Sequence, residues 1–390
     1  MGSREIETSA MDREALTLLS PITIRGLTLK NRIAISPMCM YSATNGIADD
    51  FHLVHLGRFA LGGAGLVFVE ATAVSERGRI THGCLGLWNE DQQKSFSKIT
   101  SFLHGAGAAA GIQLSHAGHK GSSQRPWHGG GPLSAADVEL RGEDAWEPLG
   151  AVAQPFDKGW ATPAQMSSKD IEETISAFVA AVRRADDAGF DVVEIHCAHG
   201  YLLHSFLSPL SNHRLDEYGG DLQGRMRFPL DVLKAVRDAW PSSKPLFVRI
   251  SSVDGINVGW SIEDSVQFSR AAKEIGVDLI DCSSGGMKLE KHQNLLAREP
   301  GFHLPYSEHI KREVDILTIA VGLIRSAGQA NDIIALGQAD LVSIAREALF
   351  NPNWPNETAL KLEGAAAWSR WPEQFGWWLM RRARQQNDQY

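Results

Sequence analysis

Cysteine is scarce: four residues in 390, at positions 39, 84, 197 and 282, with no CxxC pair. That excludes a disulfide scaffold. Nothing approaches the run of roughly 18 apolar residues that a membrane-spanning helix needs. Positive charge is also short, with 38 Lys and Arg against 46 Asp and Glu, a net charge of −8. That balance speaks against a dedicated nucleic-acid binder, which needs clustered cations. Residues 1–17 are polar and acidic and contain no apolar stretch of the kind a secretory leader carries. No repeat period and no low-complexity tract stands out. What is left is the profile of a reduced, cytoplasmic, enzyme-sized chain without nucleic-acid or membrane partners, 43% hydrophobic and 22% charged.

The positive signal is an alternation. Short apolar runs rich in β-branched residues begin near Ile33, Leu66, Gly111, Asp191, Leu246, Leu279, Leu317 and Leu341, each of a length and composition that predicts a buried strand. Amphipathic stretches separate them. The clearest runs from Ser168 to Ala188, with Ser167 or Ser168 as cap, Ile171, Ile175, Phe178 and Val182 at helical spacing, and Gly189 as stop. A second helix over 261–275, closed by Gly276, repeats the design. Eight strands alternating with helices predict an α/β protein of (β/α)8 TIM-barrel type. A doubly wound sheet would want a glycine-rich fingerprint after its first strand, where this chain has Ser36-Pro-Met-Cys-Met-Tyr41. The expected organisation is a polar extension over 1–17, one barrel domain over 18–350 and a C-terminal tail over 351–390. Two stretches break the alternation. Residues 120–164, after the third strand, are rich in Gly, Pro and Trp and long enough to be a lid. The tail carries Trp368, Trp371, Trp377 and Trp378, which must pack on the barrel or on a neighbour.

Barrel chemistry collects at the C-terminal strand ends, and polar residues crowd there. His196-x-x-His199-x-Tyr201 follows the fourth run. Its imidazoles suit hydrogen-bond donation or metal binding. With no HxH pair and no cysteine cluster to complete a coordination shell, donation is the better reading and no metal is expected. Tyr201 is either a rim aromatic or a late proton donor. Arg249 lies within an apolar run, so it must face a structural carboxylate or an anionic ligand. Gly322 and Ala345-Arg346 follow runs seven and eight, where barrels often hold phosphate. Cys39 could be a nucleophile, but a packed or cofactor-facing thiol fits better.

Taken in order, these segments resemble the old yellow enzyme family of FMN-dependent ene-reductases, in its class III, thermophilic-like branch. The resemblance is carried by Lys30-Asn-Arg-Ile33, Ser36-Pro-Met-Cys-Met-Tyr41, Gly111-Ile-Gln-Leu-Ser-His-Ala-Gly118, Glu194-Ile-His-Cys-Ala-His-Gly-Tyr-Leu202, Phe206-Leu-Ser-Pro-Leu-Ser-Asn-His-Arg214, Asp216-Glu-Tyr-Gly-Gly220, Phe247-Val-Arg-Ile250 and Asp278-Leu-Ile-Asp-Cys-Ser-Ser-Gly285. It implies non-covalent FMN at the barrel mouth, reduced by NADPH or NADH. The flavin then passes hydride from N5 to the β-carbon of an activated alkene such as an enone, enal, maleimide or nitroalkene. By position, His196 and His199 match the pair that binds the substrate carbonyl, Tyr201 the proton donor and Tyr41 a substrate-facing phenol. Ser36, Pro37, Met38, Cys39, Ala71, Gln113 and Arg249 match flavin contacts. Ser283, Gly322, Ala345 and Arg346 match the ribityl and phosphate end. The resemblance also implies self-association as a homodimer or homotetramer.

Three departures accompany it. Where many class III members carry a C-terminal arginine that reaches the neighbouring subunit's site, this chain has Gln374-Phe-Gly-Trp-Trp-Leu379, so Trp378, or else Trp377, is expected there. The 120–164 segment is longer than the branch's norm. Ala345 stands where glycine often precedes the phosphate-binding arginine, which is tolerable unless φ is positive. A zinc barrel hydrolase would need more ligands than the HxxH pairs supply. An iron–sulfur dienoyl reductase would need cysteines after Cys282, and there are none. A non-catalytic flavin carrier would have no use for the intact His196, His199 and Tyr201 set.

Overall fold

A computed structural model describes residues 17–289, 296 and 298–386. The expected N-terminal extension therefore lies outside the described residues apart from Thr17. The eight runs form strands β1 (Ile33–Ile35), β2 (Leu66–Ala73), β3 (Ala109–Ser115), β4 (Val192–Cys197), β5 (Leu246–Ser251), β6 (Leu279–Ser283), β7 (Leu317–Ala320) and β8 (Leu341–Ile344). All pair in parallel and in chain order, and β8 returns to β1 to close the barrel.

The alternation of side chains sorts the strands' residues into two layers. Ala34, Leu66, Phe68, Val192, Phe247, Leu279, Ile319 and Leu341 form one buried cluster inside the barrel. Ile33, Val67, Val69, Ile112, Val193, Ile195, Val248 and Ile280 belong to the larger cluster shared with the surrounding helices. Ile24 and Leu29 join the interior cluster from an antiparallel hairpin, Ile22–Ile24 with Leu27–Leu29, that plugs the barrel floor. The sequence pattern had not shown this hairpin.

The helices end as their caps dictate. Ser167 accepts from Asp170 N at the start of the helix Ser168–Asp187, and Ser261 accepts from Asp264 N before Ile262–Ile275. Gly276 closes the second at φ 105, a conformation that favours glycine. The tail is helical too, with Trp354–Glu363, a 3-10 segment Gly364–Arg370 and Glu373–Gln386. Trp354 and Trp368 are buried, Trp354 donating its indole N–H to the Arg325 carbonyl oxygen, whereas Trp377 and Trp378 are 47% and 66% exposed. Among the described residues no helix is long and apolar enough to cross a membrane.

Tail and barrel meet at Gly62, where an added Cβ would lie 1.9 Å from the carbonyl oxygen of Pro352. Backbone cannot yield there as a side chain could. Gly62→Ala is expected to cost ~1–3 kcal/mol of stability through overpacking, read as a lower urea midpoint with an unchanged m-value.

Candidate active site

Two residues further along β3 to β6, the inward positions turn from apolar to polar. Above the Phe68 and Phe247 layer lie Gln113 on β3, Glu194 on β4, Arg249 on β5 and Asp281 on β6, all buried. Gln113 donates to Glu194 Oε1 at 2.7 Å, and Arg249 Nε stands 3.3 Å from Asp281 Oδ2. Asp281 is also a close charged neighbour of Glu194, and two buried carboxyls so placed repel when both are ionised, which favours a proton on one of them. Burial, then the neighbouring Asp281, pushes Glu194 up to about 8. Arg249 thus has its structural carboxylate, while its Nε has no hydrogen-bond partner among the described residues. The guanidinium is anchored by charge while one of its donors stays unused.

The histidines sit one layer higher. Ala198 N donates to His196 Nδ1 at 3.2 Å, so the network assigns the His196 proton to Nε2, 3.3 Å from His199 Nδ1. His199 Nε2 in turn lies 2.7 Å from Ser283 Oγ. Burial, and next the Arg249 charge, holds both imidazoles well below the usual range. They are neutral donors throughout the physiological range.

The chain between them makes a tight turn in which His199 has φ +60. Its backbone is held from every side. His199 N donates to Ser251 Oγ (2.9 Å), Leu202 N to the His116 carbonyl oxygen (3.0 Å), and Gly200 N to His204 Nδ1 (2.8 Å). His119 Nε2 donates to the Gly200 carbonyl oxygen at 3.0 Å. His204 is fixed at its other nitrogen by Asp254, 3.1 Å away, both fully buried.

Tyr201 packs edge-on to His196 with ring centroids 5.1 Å apart, and Cys39 and Tyr41 share its apolar cluster. Burial pushes the Tyr201 phenol well up, partly opposed by a hydrogen bond with Tyr41. Burial, then nearby Glu70, raises the Cys39 thiol, which removes the thiolate a nucleophile would need. Tyr41 has φ +50, and its carbonyl oxygen accepts from Arg125 Nε at 3.0 Å. Arg125 belongs to the 120–164 insertion, which also lays Trp127 edge-on against the Tyr41 ring, 6.1 Å between centroids. The insertion is therefore a wall of the site.

Beside β7 and β8 opens a cavity of about 300 Å³ whose lining includes His303, Gly322, Ala345 and the two guanidiniums of Arg325 and Arg346 against one carboxylate, Glu347. A Cβ on Gly322 (φ +116) would fall 3.2 Å from both His303 Nδ1 and the Phe302 ring, narrowing it. Ala345 has φ −116, so the position does not demand the left-handed conformation that would favour glycine. His303 Nδ1 is buried without a partner, while its Nε2 bonds Ser284 Oγ at 2.7 Å. An orphaned imidazole and a cationic cavity at one end, with a buried guanidinium at the other, fit the phosphate and the electron-rich ring of a flavin mononucleotide.

The remaining expected residues have clear places. Ser36 Oγ bonds Ser343 Oγ at 2.5 Å, joining β1 to β8. Pro37 and Met38 are half-buried beyond β1, and Ala71 is buried on β2. Trp378 lies on the exposed face of the last helix, edge-on to Trp377. Glu194, Asp281, His303, Arg125 and Trp127 escaped the sequence reading of the site. Glu194 and Asp281 carried a signal of their own, an acidic residue inside a strand-like apolar run.

The buried ionisable groups set a pH dependence. His52, His55, His116, His119, His196, His199 and His303 are all held below the ordinary 6.5, chiefly by burial. As pH falls through about 6.5 the unfolded chain binds protons that the folded chain refuses, so stability drops. Glu70 and Glu194, raised to about 8 from 4.5 by burial, act oppositely. Their contribution is full below about 4.5 and is lost as pH rises through about 8. The histidines outnumber them. The expected melting temperature peaks near neutrality, falling steeply toward pH 5 and gently toward pH 9, which a calorimetric pH series checks.

Comparison with known proteins gives the family. The NADH:flavin oxidoreductase / NADH oxidase family matches residues 17–364. An NADPH dehydrogenase of a Geobacillus species is 45% identical over 347 residues, 88% of this chain and 94% of the relative. A Bacillus cytotoxicus NADPH dehydrogenase is 44% identical over 361 residues, 91% and 96% of the two chains. Among solved structures, morphinone reductase superposes with a TM-score of 0.72 at 21% identity, covering 90% of this chain and 91% of its own. A 2-naphthoyl-CoA reductase complex gives 0.78 at 24% identity, and this chain, 89% covered, spans only 52% of that one. The structural likeness concerns the fold, and the sequence matches carry the family. The chain belongs to the NADH:flavin oxidoreductase / NADH oxidase family, oxidoreductases with FMN as cofactor, as its resemblance to the old yellow enzymes implied.

Proposed function

We propose that this protein is an NADPH-driven ene-reductase acting on α,β-unsaturated carbonyl compounds. The observation that carries the reading is the set of His196, His199 and Tyr201 at one strand end, neutral and protonated, above a buried arginine. When bound, FMN supplies hydride exchange between a nicotinamide and the alkene. The residues of this chain do the rest. His196 and His199 turn their ring N–H groups to the carbonyl oxygen of the acceptor, polarising the alkene and holding the enolate charge as it grows. Being neutral, they donate without titrating in the working range. Tyr201 delivers the proton to the α-carbon from its phenol oxygen. Arg249, with Asp281 behind it, holds positive charge beside the electron-rich end of the ring system. Gly322, Ala345, Arg346 and His303 hold the phosphate. Tyr41, braced by Arg125 and Trp127, walls the acceptor site. NADPH is favoured over NADH by the two relatives' names.

Self-association extends the reading. The last helix leaves Phe375, Trp377 and Trp378 exposed, and Trp378 is proposed to reach a neighbouring subunit's acceptor site. Removal of residues 374–390 should then raise the KM for the acceptor and yield a smaller species on sedimentation. Unchanged values in both would rule the contact out.

Tyr201→Phe tests the chemistry. Flavin reduction by NADPH should proceed at close to the original rate, while reoxidation by 2-cyclohexenone should slow about 10²-fold or more, the usual contribution of a general acid. Equal slowing of both half-reactions would refute the assignment.

A further inference from the structure

One buried cation has no part in the chemistry above. Lys120 ends the short turn Gly118–Lys120 after β3. Its Nζ donates to the carbonyl oxygens of His199 at 2.9 Å and Gly286 at 3.4 Å. The same ammonium lies 4.7 Å from the centre of the Phe156 ring and 4.9 Å from that of Tyr201. Its partners come from three loops: the turn after β4, the loop after β6 and the 120–164 insertion. The insertion is fastened close by through the Asp157–Lys288 ion pair.

An ammonium on an aromatic face is attracted by the ring's negative quadrupole, more strongly once water is excluded. If the ring becomes a phenolate, that attraction becomes one between full opposite charges. We propose that Lys120 is a positioning residue for proton delivery: seated between the Phe156 and Tyr201 rings and on the His199 and Gly286 carbonyl oxygens, its ammonium supports the negative charge left on Tyr201. The inference rests on Tyr201 being the proton donor. In that step the phenol O–H bond breaks and a C–H bond forms at the α-carbon with the enolate's electron pair. The phenolate then takes a proton back from water.

Burial lowers Lys120 to about 8, so its support should fade above that pH. The titratable groups facing it are His119 on its own turn, His196, His199 and Tyr201 from the β4 turn, and the Asp157–Lys288 pair. The imidazoles are neutral and the phenol protonated at that pH. Glu70 and Glu194 also titrate near 8, so variants, rather than a pH profile alone, assign the effect.

The test follows reoxidation of prereduced holoenzyme by 2-cyclohexenone in stopped flow, for the wild type, K120M, K120R, Y201F and K120M/Y201F. K120M should lower the saturating rate on the order of tenfold with little change in acceptor affinity. K120R should keep most of it. The decline of the wild-type rate above about pH 8 should be absent from both, since methionine carries no charge and arginine never loses its own. In Y201F, adding K120M should change nothing further, the mark of residues acting as a unit. A readout independent of turnover is acetylation of Lys120 in the holoenzyme, followed by mass spectrometry against pH. Its midpoint should lie near 8 and rise in F156A as water reaches the amine. If K120M fails to fold, K120R keeps the proposal falsifiable, because a wild-type decline above about pH 8 that persists in K120R overturns it. A labelling midpoint at the ordinary lysine value overturns the proposal. So does a wild-type rate and pH profile in K120M, or an equal K120M loss in the Y201F background, and each of these leaves Tyr201 as donor. A wild-type rate in Y201F removes both the donor and the inference built on it.

Discussion

The turn that carries the chain out of β4 is the constraint on which the site depends. His196, His199 and Tyr201 must all present themselves at one strand end within six residues, and this requires His199 at φ +60. A left-handed residue with a side chain costs about 1–2 kcal/mol. It persists because its surroundings over-determine it. Ser251 comes from β5, His116 from the end of β3, and Lys120 from the turn beyond it. Gly286, from beyond β6, packs so closely that an added Cβ would lie 2.1 Å from the His199 carbonyl carbon. Closure of the barrel brings these groups together, so the turn follows from the fold as a whole.

Electrostatics is stacked in the same order as the strands. An apolar floor lies below, then Gln113, Glu194, Arg249 and Asp281, then the imidazoles. Burial makes a second or third cation above Arg249 costly, so the histidines stay neutral, with their N–H groups resting on His199 Nδ1 and Ser283 Oγ, partners that a ligand oxygen would replace. Glu194 and Asp281 keep one proton between them for a related reason, since two adjacent buried carboxylates repel. Positive charge is thereby concentrated in the guanidinium, and hydrogen-bond donation in the layer above it.

Much of this was legible in the chain. The eight apolar runs became the eight strands, and Ser167, Ser261 and Gly276 cap helices where their types predict. Local pattern suffices for such features because they depend on neighbours three or four residues away. The rim residues could be found because barrels place chemistry at strand ends. What stayed hidden depends on distant partners. His303 meets Ser284 across a loop, Trp127 meets Tyr41 across more than eighty positions, and Glu194 meets Asp281 across two strands. The floor hairpin was missed because three-residue strands give too short a pattern to count.

The two-layer sorting of the strands has a consequence for how such a protein can change. Residues that face the mouth, such as Gln113, Arg249, Ser251 and Ser283, alternate with residues such as Ile112, Val248 and Ile250 that grip the outer helices. Pocket and framework are therefore written on opposite faces of the same strands and can drift separately. A lineage, or a directed library confined to the inward positions, can explore new acceptors while the outward positions keep the barrel closed.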